Sequence, residues 1–286
     1  MREGQIIKSI SGEYTIVTNK EKIVCKPRGI FRYKGMSPKV GDFVTYDEVS
    51  KSIVKIKERK NDLIRPVICN VDKAFLVFSL KEPELNLNLL DRLLAIIEFN
   101  NIEAIIVFTK LDLLSDYSYY NIIKEYYSKI GYKIYESSIN ALPFDILEEV
   151  KGNLCVLAGQ SGVGKSTLLN NADPTLELKT SEISQALGRG KHTTRHVELM
   201  EIASGYLADT PGFGTVDFTD MEISDLSHSF KEFFNCSDKC KYSMCHHINE
   251  PGCEVKRLVE SGEILKSRYD NYLLFAKEIK EYKKKY

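Results

Sequence analysis

Over residues 1–65, apolar side chains alternate with polar ones in short runs: GQIIKSISGEYTIVT, EKIVCKP, GDFVTYDEV and SIVKIKER. Gly12, Gly29, Gly35 and Gly41 fall between these runs or at their edges. A period of two, punctuated by glycine, predicts half-buried strands; several at close spacing predict a small β-barrel or sandwich. The size suits an OB-type barrel, a common binder of single-stranded or structured RNA. NDLIRP reads as a linker. From residue 71 the runs become densely apolar: VDKAFLVFSL, NIEAIIVFTK, GYKIYESS and NLCVLAG. Helical stretches, NLNLLDRLLAIIEFNN and DYSYYNIIKEYYSKI, lie between them. Strands buried on both faces and alternating with helices predict a parallel α/β sheet. HVELMEI and GYLAD read as two further strands. Past residue 220 the chain becomes rich in Cys and His, then ends in an amphipathic, finally basic helical sequence. The changes of pattern predict domains over residues 1–65, 66–220 and 221–286.

Charge sharpens this division. The 286 residues carry 40 Lys and Arg against 40 Asp and Glu, but residues 1–65 hold 15 against 8, a net +7. Residues 66–220 hold 13 against 21, a net −8. A basic head on an acidic middle points to a polyanionic partner for the head. Its candidate contacts are Lys26, Arg28, Arg32 and Lys34 in KPRGIFRYKG, with Phe31 and Tyr33 interleaved for stacking. The competing reading is a solvated loop around core aromatics. No apolar run is long enough to span a bilayer, and MREGQIIKSI lacks the core of a signal peptide. The expectation is a cytoplasmic monomer with no membrane and no DNA partner. Four of the seven cysteines crowd into residues 236–253. In a reducing compartment that crowding points to metal rather than disulfides.

GQSGVGKST, from Gly159 to Thr167, fits the phosphate-loop pattern G-x-x-x-x-G-K-[ST]. It comprises Gly159, Gln160, Ser161, Gly162, Val163, Gly164, Lys165, Ser166 and Thr167. The glycines let backbone N–H groups turn toward phosphates. Lys165 brings a positive charge to the β- and γ-phosphates, and Ser166 offers a hydroxyl to Mg²⁺. A strand-like run before the loop and a helical run after it supply the context, and the helix start favours an anion. In ADTPGFG, Asp209 can hold the Mg²⁺ shell through water, and Gly212 offers an N–H to a γ-phosphate. GRGKHTTR, between the two motifs, suits a switch segment in which Thr193 or Thr194 reaches Mg²⁺.

TKLD, from Thr109 to Asp112, follows the apolar run AIIVF. The Asp112 carboxylate can accept from the ring N–H and amino group that guanine presents side by side. Lys110 would lie along the base plane, with Leu111 between them. Ser137 and Ser138 end the next strand, where a backbone N–H can meet the guanine oxygen. Ordinary small GTPases place the phosphate loop first and the TKxD and Ser-rich motifs last. Here the order is inverted. With a basic barrel in front and a Cys/His cluster behind, the whole chain resembles the circularly permuted, ribosome-small-subunit-dependent GTPases (RsgA, also called YjeQ or YloQ).

That resemblance implies GTP hydrolysis to GDP, stimulated by the small ribosomal subunit during its late maturation, with the barrel on rRNA. It also implies one structural Zn²⁺. CSDKCKYSMCHHINEPGC contains Cys236, Cys240, Cys245, His246, His247 and Cys253. Four ligands satisfy a tetrahedral site. From spacing alone Cys236 could replace Cys240; the family pattern C-x4-C-x-H-x5-C selects Cys240, Cys245, His247 and Cys253. The residue after Gly212 is Phe213, which cannot orient a water as Gln does in many GTPases. His192 is the nearest substitute, and the resemblance points to it as well. Thr109 stands where many GTPases have Asn, implying modest nucleotide affinity. Because the chain runs from DTPGFG directly into residues 221–286, a change in that loop could pull on the C-terminal module. The competing readings are an RNA-binding module whose nucleotide is structural with negligible turnover, and a GTP-driven metal chaperone.

Overall fold

The alternation of the first 56 residues closes a sheet on itself. In the computed structural model, β1 (Arg2–Ile10), β2 (Glu13–Thr18), β3 (Glu21–Pro27), β4 (Phe43–Asp47) and β5 (Ser52–Ile56) form a barrel of order β1-β2-β3-β5-β4. A short helix, α1 (Ile30–Tyr33), lies between β3 and β4. Ile6, Ile16, Val44 and Ile53 point inward, each fully buried. The structure describes residues 1–19, 21–33, 35–138, 146–172, 197–209 and 217–285, without the side chains of Arg32, Asn171, Ala172, Asp209, Lys284 and Lys285.

NDLIRP is not a bare linker. Asp62–Leu63 (β6) and Ile68–Cys69 (β7) form a two-stranded hairpin. It is fastened to the barrel by the fully buried Asp42, which accepts from Arg59 Nε at 2.7 Å and from the Cys69 thiol at 3.1 Å. Gly41 permits the close approach: it sits at φ +94°, and a Cβ there would lie 2.0 Å from the Cys69 carbonyl oxygen. Two-residue strands have too few alternating positions to register in a sequence pattern, and their tie to the barrel runs through polar side chains.

A second, six-stranded sheet takes β8 (Lys73–Ser79), β9 (Glu103–Thr109), β10 (Lys133–Glu136), β11 (Leu154–Ala158), β12 (Leu199–Ile202) and β13 (Gly205–Asp209). Its order is β10-β9-β8-β11-β13-β12. Helices α2 (Leu87–Phe99) and α3 (Ser118–Lys129) follow β8 and β9; α4 (Ile146–Val150) and α5 (Lys165–Ala172) precede and follow β11. Ala74 through Phe78 are each no more than 1% exposed, as expected of a strand covered on both faces. Each large side chain buried this way contributes about 1.5–3 kcal/mol. β10 runs parallel to β9, and β11 to β13, but β12 is antiparallel to β13. The expected parallel sheet thus ends in a hairpin. Its turn residues, Ala203 and Ser204, both have positive φ, the geometry of a tight two-residue hairpin turn.

The chain divides into two compact units, made of the described parts of residues 1–75, 142–158 and 164–213 and of residues 76–141, 159–163 and 214–286. The first holds the barrel with β11, β12 and β13. There, Lys8 on β1 pairs with Glu198, beside β12, at 2.7 Å. The second holds β9, β10 and most of β8 with the C-terminal helices α6 (Ile223–His228), α7 (Lys231–Phe234), α8 (Glu254–Glu260) and α9 (Lys266–Lys285). α2 is capped by Asn86, whose side chain accepts from Leu89 N at 2.9 Å. Leu90, Leu93, Leu94 and Ile97 form its buried stripe. Asp91 lies in that stripe too, and α9 answers it with the equally buried Arg268. Among the described residues no helix is long and apolar enough to cross a membrane.

Candidate nucleotide and metal sites

β11 is buried along its whole length and delivers the chain to the glycine-rich loop. Gly159, Gly162 and Gly164 all take positive φ. At Gly159 no side chain fits: a Cβ would lie 2.2 Å from the Val77 carbonyl oxygen. α5 starts at Lys165, and Leu168 N donates to the Gly164 carbonyl at 2.8 Å. Lys165, Ser166 and Thr167 thus open a helix whose first N–H groups have no intrahelical acceptor. Gln160 and Ser161 lie in the loop, and Val163 is buried beneath it. In the first unit, Asp209 ends β13 in register with Leu157 of β11, two residues before the glycine loop. The backbone of the candidate Mg²⁺ residue therefore ends its strand beside the last residues of β11 before the loop begins.

In the second unit, Thr109 ends β9, 5% exposed, and its hydroxyl donates to the Val163 carbonyl at 2.6 Å. TKLD is thereby bonded to the glycine loop. Lys110 takes the left-handed conformation, φ +59°, and its ammonium donates to the Glu82 carbonyl. A 3₁₀ turn over Leu111–Leu113 then carries Asp112 to the surface. Ser137 follows the parallel strand β10 and donates its N–H to the Phe108 carbonyl at 2.8 Å, with Ser138 beside it. The two motifs therefore lie at adjacent strand ends, where α/β sheets place ligands. Lys34, His192, Thr193, Thr194, Gly212 and Phe213, with the rest of GRGKHTTR, lie outside the described residues.

The basic loop of the barrel divides. Tyr33 is 95% exposed and free to stack, whereas Phe31 is 7% exposed and belongs to the core. Lys26 pairs with Glu13 at 3.3 Å, and Arg28 donates to the Ser52 hydroxyl at 3.3 Å. The Arg32 side chain is outside the described set.

Behind α7, the ligand atoms of Cys240, Cys245, His247 and Cys253 lie within 4.8 Å of one another. His247 Nδ1 is 3.3 Å from Cys253 Sγ and 3.7 Å from Cys240 Sγ. Three soft sulfurs and one imidazole in a tight group match the donor chemistry of a four-coordinate structural zinc site. Cys236 stands apart, its thiol donating to the Phe233 carbonyl at 3.5 Å. Burial lowers His247 to about 4, which keeps the imidazole neutral as a ligand must be. Burial also pushes the Cys253 thiol up to about 12, a burden that a bound cation would reverse. Outer contacts fix the loop: Tyr269 donates to the His247 carbonyl at 2.8 Å, and Glu254 N donates to Cys240 Sγ at 3.4 Å. These residues could hold Zn²⁺ with no further ligand.

A TKLD segment that precedes the GQSGVGKST loop in the chain, yet meets it through Thr109 and Val163, has the motif order of a circularly permuted GTPase. A family model described as RsgA GTPase matches residues 56–219, and one described as RsgA N-terminal domain matches residues 3–53. The chain belongs to the RsgA GTPase family. It is 46% identical to the small ribosomal subunit biogenesis GTPase RsgA of Bacillus subtilis (strain 168) and 47% identical to that of Geobacillus sp. (strain WCH70), over 100% of both chains each time. The crystal structure of YloQ, a circularly permuted GTPase, superposes with a TM-score of 0.79 at 41% identity, covering 98% of this chain and 96% of that one. YjeQ from Thermotoga maritima gives 0.81 at 36% identity, covering 97% and 98%.

Proposed function

We propose that the chain hydrolyses GTP on the small ribosomal subunit and acts in that subunit's late maturation. The bond between the Thr109 hydroxyl and the Val163 carbonyl carries the reading, because it makes one site of the guanine motif and the phosphate loop. Asp112 accepts from the guanine N–H groups, Lys110 lines the base, and Ser137 and Ser138 meet its oxygen. Backbone N–H groups from Gly159 to Thr167 and the Lys165 ammonium hold the phosphates. Ser166, Thr193 or Thr194, and Asp209 would hold Mg²⁺, which supplies charge neutralisation between the β- and γ-phosphates when bound. Gly212 would offer its N–H to the γ-phosphate, and His192 would orient the attacking water in place of the glutamine that many GTPases have where Phe213 stands. Cys240, Cys245, His247 and Cys253 hold a structural Zn²⁺. The barrel meets rRNA through its basic loop, with salt-sensitive affinity. The protein acts in the cytoplasm as a monomer.

The test is GTP turnover with and without purified small subunits, with Lys165→Ala as the blank and ATP as the control. Strong stimulation by the subunit, absent with ATP, is the expected result. GTP binding with turnover at the level of the blank, subunits included, would leave a nucleotide-gated RNA-binding module instead.

A further inference from the structure

The turn between β8 and α2 contains none of the motifs above, yet it is bonded to two residues of the proposed nucleotide site and borders the glycine loop. Ser79, the last residue of β8, is 1% exposed. Its Oγ accepts from Lys81 N at 3.3 Å and donates to the Lys81 carbonyl, which closes the turn. The next carbonyl, of Glu82, accepts from the Lys110 ammonium. Glu82 is itself left-handed at φ +58°. Leu80 N donates to the Thr109 carbonyl at 3.2 Å, so the turn is bonded to both Thr109 and Lys110. On its far side the Pro83 ring lies 4.0 Å from where a Cβ on Gly162 would stand.

A lysine stem has four rotatable methylenes and loses that freedom when it lies against a base. Lys110 is fixed at both ends before nucleotide arrives: its backbone by the left-handed turn, its ammonium by the Glu82 carbonyl. Such pre-organisation reduces the ordering cost of binding. A main-chain acceptor leaves the charge of the lysine intact and depends on the shape of the turn rather than on the Glu82 side chain. The side chain that sets this shape is Ser79.

We infer that Ser79 is a positioning residue for Lys110: by closing the Leu80–Pro83 turn it holds the Glu82 carbonyl that lays out the lysine stem as one wall of the base site. The inference rests on the guanine-site reading of TKLD. The experiment is a GDP titration of the full chain, with ADP as control, for native protein, Ser79→Ala, Ser79→Thr, Lys110→Ala and the Ser79→Ala/Lys110→Ala double variant. Ser79→Ala is expected to lose about tenfold in GDP affinity, the scale of one hydrogen bond, and Ser79→Thr to recover most of it. The double variant should bind GDP no more weakly than Lys110→Ala alone, because without the lysine the turn has nothing to position. If Ser79→Ala melts below the assay temperature, Ser79→Cys, with its weaker donor, replaces it in the same cycle. GDP affinity of the serine variant within about twofold of native, or a loss that adds in full to that of Lys110→Ala, would overturn the inference. Absence of any preference for GDP over ADP in the native chain would overturn the guanine-site reading itself, and this inference with it.

Discussion

Arg268 on α9 and Asp91 on α2 stand 177 residues apart in sequence and 2.6 Å apart in space, each about 1% exposed. The guanidinium also donates from Nε to Glu232 at 2.6 Å, and it lies over the Phe230 ring at 4.4 Å. Asp91 accepts further from Tyr127 and from Asn271 at 2.7 Å. Burial pushes the Asp91 carboxyl up, and Arg268, Tyr127 and Asn271 pull it back. One cation thus serves two carboxylates on two other helices and joins the C-terminal helices to the strand–helix unit that carries TKLD.

Removal of this cation strands two buried acids. We expect Arg268→Ala to destabilise the protein by about 3–5 kcal/mol. Simultaneous replacement of Arg268, Asp91 and Glu232 by apolar residues of similar volume should recover much of that loss, because the cost is the orphaned charge rather than the missing attraction. The chain has no tryptophan and 16 tyrosines, so tyrosine fluorescence during guanidinium denaturation is the natural readout. Equal losses in the single and triple variants would contradict this account.

The metal cluster makes a separate prediction. Between Cys236 and Cys253 the only regular element among the described residues is a 3₁₀ turn over Ser237–Lys239. A segment of that kind has little to hold it besides its ligands, and structural zinc contributes on the order of 10 kcal/mol of binding free energy in small modules. We expect one zinc ion per chain. Chelation should raise amide exchange across residues 236–253 while the barrel strands stay protected. Cys245→Ser should lose the ion, and Cys236→Ser should keep it. Retention of zinc by the first and loss by the second would mean that Cys236 is a ligand.

The sequence pattern reveals elements in proportion to how local their cause is. β8, β9 and β11 are buried on both faces, so their apolar runs stand out, and the glycine loop is a contiguous motif. The antiparallel direction of β12 leaves no such mark, because it is set by a two-residue turn without glycine, Ala203–Ser204. Phe31 and Tyr33 look alike in KPRGIFRYKG and differ only in which face of a one-turn helix they occupy. Arg268 reads as an ordinary polar position of an amphipathic helix, since its partners are distant in the chain. The Glu82 carbonyl is main chain and carries no sequence signal. Choice of Cys240 over Cys236 needed either the family pattern or the geometry, because four ligand positions fit the spacing either way.

An acid-side effect should appear at Glu136, which ends β10 just before Ser137. Partial burial pushes its carboxyl up, but Lys124 at 2.9 Å and the Tyr120 hydroxyl at 2.5 Å outweigh that and hold it below the ordinary value. A carboxylate depressed in the folded state contributes stability above its unfolded pKa, about 4.3, and loses it as pH falls through the folded value. The pair is partly exposed, so the contribution is screened to about 1 kcal/mol or less. Glu136→Gln should therefore be less stable than native at pH 6–8, and the gap should close below about pH 4. A gap that persists at low pH would assign the loss to packing instead.

Thr109 offers the most direct check on the nucleotide site. Its hydroxyl is buried, and its 2.6 Å bond to the Val163 carbonyl links the strand end proposed to read the base with the loop proposed to hold phosphate. Thr109→Val keeps the shape of the side chain and removes the donor, leaving a buried carbonyl with one partner fewer. A lost hydrogen bond of this kind costs about 1–1.5 kcal/mol, so GDP affinity should fall about tenfold. Thr109→Ser keeps the hydroxyl and should bind within about threefold of native. The direction of the kinetic change separates two causes. If the bond only orders the empty site, association of GDP should slow; if it holds the closed site together, dissociation should quicken and association stay unchanged. Because the bond lies within one packed unit and ties the end of β9 directly to the glycine loop, we expect the second. Unchanged GDP affinity in Thr109→Val would mean that the guanine motif and the glycine loop bind nucleotide independently.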